Sequence, residues 1–106
     1  MEELLKAKIN HTIKSWLKTD GGFPEDEAMS YFNDYVVVDI EDAEDDKLKI
    51  EIRAELSYEG MESLSEKLDK ILSAYDEDAY FEQVCPGIME AFLDKSSLVL
   101  KKEVSA

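Results

Sequence analysis

Lysine and arginine are absent from the whole stretch between Lys18 and Lys47, and the chain has one arginine (Arg53), one histidine (His11) and one cysteine (Cys85). A lone cysteine closes no internal disulfide, so stability has to come from packing, which suits a reducing, cytoplasmic compartment. One histidine and one cysteine are also a thin stock for nucleophilic catalysis, which needs a base beside its nucleophile. His11 falls between Ile9 and Ile13 on a helical pattern and Cys85 precedes Pro86 in an apolar stretch, so packing accounts for each, and no catalytic residue and no enzyme activity are expected. Glycine is scarce as well. Gly21, Gly22, Gly60 and Gly87 each sit at an expected element boundary and none builds a phosphate-cradling loop, so no nucleotide cofactor is expected. The longest aliphatic runs, such as Val36 to Val38, are three residues, and Met1 to Lys6 lacks an apolar stretch of signal-peptide length. Neither export by that route nor a membrane partner is expected.

What the chain has in excess is carboxylate. Its 106 residues carry 26 Asp and Glu against 12 Lys and Arg, a net charge of -14. Eleven of the acids (Asp20, Glu25, Asp26, Glu27, Asp34, Asp39, Glu41, Asp42, Glu44, Asp45 and Asp46) lie in the stretch without a basic residue. Charge this dense burdens a compact fold with self-repulsion and repels phosphate backbones and anionic lipid, so direct nucleic-acid binding is not expected and an electrostatic partner has to be basic. Clustered acids first suggest calcium. Counted from Asp42, however, an EF-hand loop would need glycine where Lys47 stands and a bidentate glutamate where Arg53 stands, and Asp76-Glu77-Asp78 fails in the same way. No metal site is expected.

Apolar residues make up 44% of the chain and aromatics run from Trp16 to Phe92, which argues for an ordered core despite the charge. A chain of this length fits one domain, residues 1 to 106, burying roughly 65% of its unfolded surface. Leu5, Ile9, Ile13, Trp16 and Leu17 recur at helical spacing, predicting an amphipathic helix over residues 3 to 18 that stops at Gly21-Gly22. Pro24 followed by three acids predicts a second, short helix over 24 to 32. Tyr35 to Ile40 is rich in β-branched residues, and Leu48, Ile50, Ile52, Ala54, Leu56 and Tyr58 alternate with polar positions, predicting two strands joined by an acidic hairpin loop over 41 to 46. Arg53 lies on the polar face of the second strand, where cross-strand pairing with a carboxylate is its expected role. Leu64, Leu68, Ile71, Leu72 and Tyr75 predict a third helix that starts at Met61 or Ser63, with Ser63 and Glu66 at capping-box spacing, and ends at Tyr75. Pro86-Gly87 breaks the segment after it, leaving a strand over 88 to 93 and a short fourth strand over 98 to 100. The fold class is therefore α+β, a two-layer domain in which helices cover one face of a small antiparallel sheet built on the central hairpin.

Within the acidic segment, charge and aromatics are interleaved, Phe23, Tyr31, Phe32 and Tyr35 lying among the carboxylates. Rings supply buried area at an interface and charges supply steering and register, so Glu25, Asp26, Glu27, Tyr31, Asp34, Tyr35, Asp39, Glu41, Asp42, Glu44, Asp45 and Asp46 are the candidate partner-binding residues. The competing reading of the same residues is a solvated face that keeps the protein soluble. The leading functional expectation is a small acidic inhibitor that mimics nucleic acid and occupies a basic surface on a nucleic-acid-binding protein or nuclease. By size and charge this is the class of phage-encoded anti-defence, anti-CRISPR-like proteins, an analogy of class and not of motif. Two alternatives use other logic: an immunity or antitoxin-type protein that neutralises a basic toxin, and an adaptor domain that forms a homodimer through a sheet edge.

Overall fold

A computed structural model of the chain describes residues 2 to 98. The first helix, α1 (Glu2–Thr19), buries Leu5, Ile9, Ile13, Trp16 and Leu17 on one face, as their spacing requires. It ends where the Gly21 N–H donates to the Trp16 carbonyl at 2.8 Å and Gly22 takes a φ of 73°, a conformation that an L side chain rarely adopts. Helix α2 (Glu25–Tyr35) starts with its three acids at the positive end of the helix dipole. It runs three residues beyond the expected end, so Tyr35 is helical and not part of a strand. Tyr31 and Tyr35, one helical turn apart, put their ring centroids 5.1 Å from each other, and that contact extends the helix against the β-branched run that follows.

Strand β1 (Val37–Ala43) then passes straight through Glu41 and Asp42. The expected six-residue loop shrinks to residues 44 to 46, because the ladder runs on to Ala43 opposite Lys47 and sets Glu41 opposite Lys49, a favourable cross-strand pair of opposite charges. Asp45 and Asp46 close the turn at φ values of 61° and 58°. Strand β2 (Lys47–Arg53) stops five residues short of Tyr58, where the apolar alternation ends. The Ala54 N–H makes a last bond in the β2–β4 register, to the Gly87 carbonyl at 2.9 Å, and the Ser57 hydroxyl then accepts from the Gly60 N–H at 3.1 Å, capping α3 (Tyr58–Ser73). The cap is thus Ser57 and not Ser63.

Strands β3 (Glu82–Cys85) and β4 (Ile88–Asp94) form a second hairpin turned at Pro86-Gly87. The break and β4 match expectation, whereas β3 carries no readable alternation. Gly87 has a φ of 77° and a Cβ there would lie 2.7 Å from the Ala54 carbonyl oxygen, so the turn demands glycine. Residues 95 to 98 are helical, so Leu98 does not begin a strand; residues 99 and 100 of that expected strand lie outside the described residues.

The sheet order is β1-β2-β4-β3, with every neighbouring pair antiparallel. Its covered face presents Val38, Leu48, Ile50, Ile52, Met89, Ala91 and Leu93 to the buried stripes of α1 and of α3 (Met61, Leu64, Leu68, Leu72), and all join one hydrophobic cluster. No charged or polar residue is buried among the described residues. The architecture is α+β in two layers, and among the described residues no helix covers the opposite face of the sheet.

Candidate protein-binding surface

The register separates the acidic segment into two groups. Val37 pairs with Arg53 at one end of β1 and Ala43 pairs with Lys47 at the other, six residues or roughly 20 Å away. Glu44, Asp45 and Asp46 form the turn at the far end. Asp42, beside it, is held by Lys95 at 2.8 Å. At the near end, Asp26, Glu27, Asp34, Tyr31 and Tyr35 line one groove together with Phe23. Glu25 is exposed on the first turn of the same helix. Asp39 and Glu41 point together from the open face of the sheet, between the two groups.

The α2 groove joins rings and charge most closely. Phe23, Tyr31 and Tyr35 form a chain of tilted ring contacts with centroids 5.0 and 5.1 Å apart. Tyr31 is partly buried, and its hydroxyl donates to the Glu55 backbone carbonyl. Burial pushes its phenol pKa up, as do the Glu55 carboxylate and then Tyr35, so the hydroxyl stays a donor. Tyr31 is thereby committed to the fold, while Tyr35 keeps 49% of its surface open to solvent. No lysine or arginine lines the groove.

Tyr35 also borders a second depression with Arg53, Glu55, Leu56, Pro86 and Gly87, and the last three of these continue into a third with Tyr58, Val84 and Cys85. Tyr58 and Val84 are 65% and 46% exposed. These neighbours were not legible as site residues, because they meet Tyr35 only through the capping turn before α3 and the unpatterned strand β3. His11 and Cys85 are both exposed, contrary to the packing expected of them. They are also far from forming a pair: His11 lines a depression with Trp16 and Lys67 along the helices, and Cys85 lies in the second hairpin.

The sheet edges differ in kind. None of the hydrogen bonds outside the ladder involves residues 37 to 43, so the outer backbone groups of β1 have no protein partner among the described residues. Asp39 and Glu41 alternate along that edge, and an antiparallel copy would set these acids against each other. β3, the other edge, has four residues and an irregular register between Gln83 and Cys85, which discourages extension. Among the described residues no cluster of His, Cys, Asp and Glu is arranged to hold a metal ion, and no helix is long and apolar enough to cross a membrane. Compared with known proteins, the chain matches no family model, no curated protein and no solved structure, so its surface is read from its own geometry.

Proposed function

We propose that this protein is a small acidic inhibitor that occupies a basic, nucleic-acid-binding surface of another protein. The observation that carries the reading is the α2 groove, in which an exposed Tyr35 ring sits among Asp26, Glu27 and Asp34 with no basic side chain lining the groove. An aromatic anchor ringed by carboxylates suits a cationic protein surface: the ring excludes water and the charges speed encounter and set register. Mimicry of a phosphate backbone is supported by Asp39 and Glu41, two residues apart and so about 6.6 Å apart on a rigid strand. The acids along the free β1 edge favour a basic partner over a second copy of the chain. Such an inhibitor is of the kind that phages deploy against host defence.

The test is competition. The immobilised protein should capture its target at about 50 mM salt and release it at about 500 mM, as counterion-sensitive contacts require. Duplex or guide nucleic acid added to the complex should displace it. Capture that resists salt overturns the acidic-surface reading. Salt-sensitive capture that nucleic acid leaves intact removes the mimic and points to neutralisation of a basic toxin through the same groove.

A further inference from the structure

The open face of the sheet carries a second feature. Asp39 stands opposite Glu51, Glu51 opposite Glu90, and Glu90 opposite Glu82, so one row of four carboxylates crosses all four strands. Neighbouring strands are about 4.8 Å apart, and like charges set directly opposite destabilise a sheet. Two cations relieve the inner pair only. Lys49 lies 4.0 Å from Glu51 and 3.5 Å from Glu90, and Arg53 donates to Glu51 at 2.9 Å, along its own strand and not across the ladder as its position suggested. Among the described residues, Asp39 and Glu82, the two ends of the row, have no ion pair.

Beside the Glu82 end the face is concave and aromatic. Asp78, Ala79, Tyr80, Glu82, Glu90 and Phe92 border a depression of about 220 Å³. Tyr80 is 59% and Phe92 46% exposed, although a strand and a loop could have hidden either ring. The volume falls below the roughly 300 Å³ at which small-molecule sites begin, and suits a single long side chain. Three carboxylates and two exposed rings around one hollow, with Lys49 already engaged at its inner side, complement one chemical group better than any other: a planar cation that accepts carboxylates at its edge and rings on its face.

We propose that this hollow receives an arginine side chain of a partner protein, its guanidinium between Glu82 and Glu90 and its stem across Phe92 and Tyr80. The site is separate from the α2 groove and does not need it. Lysine fits less well, since a point charge neither bridges two carboxylates in a plane nor stacks.

The probe is nona-arginine, titrated into isotopically labelled protein at about 100 mM salt, where long-range attraction is screened beyond about 10 Å. Amide shifts should concentrate at residues 78 to 82 and 90 to 92, and nona-lysine should bind several-fold more weakly. Tyr80→Ala with Phe92→Ala changes no charge, so it should weaken nona-arginine about tenfold while general attraction stays the same. Phe92→Thr keeps a strand-forming residue in β4 and should act in the same direction, which guards against a loss of fold in the double variant. Absence of binding, shifts centred on α2 or the 44 to 46 turn, or affinity unchanged by the charge-neutral variants would overturn the inference. A peptide that follows Tyr35→Ala and ignores Tyr80→Ala would overturn it while leaving the α2 reading in place.

Discussion

The indole N–H of Trp16 donates to the Ser63 hydroxyl across 3.0 Å, tying α1 to α3 where both side chains are partly sheltered from solvent. Removing the acceptor leaves a sheltered N–H without a partner, so Ser63→Ala should cost about 1 to 3 kcal/mol in a denaturant titration. Glu66→Ala should stay within about 0.5 kcal/mol. Similar losses at both positions would mean that the pair acts as a helix cap after all.

The two faces of β2 should differ in how much their residues contribute. Ile52 is fully buried, as is Leu68 on the facing helix, and truncating either to Ala should cost about 2 to 5 kcal/mol. Lys49 faces solvent, yet it neutralises two carboxylates of the acidic row, so Lys49→Met should cost about 0.5 to 1 kcal/mol, reduced by added salt. Glu82→Gln at the outer end of the row should be neutral or slightly stabilising. A Glu82→Gln variant that melts well below the parent would contradict the repulsion assigned to that row.

Asp69 gives the fold a pH signature. Partial burial raises its carboxyl pKa, the Phe81 N–H donating at 2.8 Å works against that rise, and nearby Glu66 adds to it. The native state therefore binds this proton more readily than the unfolded chain does. Its stabilising effect is complete below the ordinary Asp value of about 3.9 and is lost as pH climbs through the raised native value. Asp69→Asn keeps an oxygen for the Phe81 N–H but removes the charge. It should melt higher than the parent at neutral pH, with the difference closing toward about pH 4. A variant less stable at neutral pH would show that the charged hydrogen bond outweighs desolvation.

Because the acids fall into two groups, the groups can be tested separately. Reversing Asp26, Glu27 and Asp34 to Lys should abolish capture of the target. Reversing Glu41, Glu44 and Asp45 at and beside the distant turn should chiefly slow association by an order of magnitude or so. Tyr35→Ala should cost about 2 kcal/mol of affinity or more and only about 0.5 kcal/mol of stability, since its ring is half exposed and loses only its contact with Tyr31. Surface-plasmon rates for the three variants decide the matter. Loss of binding only on reversal at the turn would move the site from α2 to the hairpin.

The two-layer architecture was legible because its strongest signals come from residues buried on one side only. Ile50 and Ile52 alternate with Lys49 and Glu51, and Leu64, Leu68 and Leu72 recur at helical spacing, so period alone identifies both the element and its inner face. Boundaries followed particular side-chain and cross-strand contacts instead. Tyr35 joined a helix through its ring contact with Tyr31, and Ala43 joined a strand through its position opposite Lys47. β3 stayed hidden because four residues with a register irregularity cannot display a period. The candidate site was half legible. Carboxylates interleaved with rings are visible in a string of letters, but the distance between Tyr35 and the 44 to 46 turn is a property of register. That Tyr80 and Phe92 border one hollow is a product of the fold as well, and Tyr80 drew no notice in the sequence.

The order β1-β2-β4-β3 also has a kinetic meaning. β1 with β2, and β3 with β4, are hairpins whose strands adjoin in the chain and can form within microseconds. The β2–β4 seam closes only after α3 has been spanned, so it carries the largest loop-closure entropy in the sheet. Docking of two preformed hairpins is then the step that limits folding. Ile50 and Ala91, which face each other across that seam, belong to the nucleus, and trimming Ile50 to Val should slow refolding. Val38 belongs to a preformed hairpin but lies away from the seam, so trimming it to Ala should leave the docking step little changed and chiefly hasten unfolding. The time this protein needs to become itself is set at the middle of the sheet, in the meeting of its two halves.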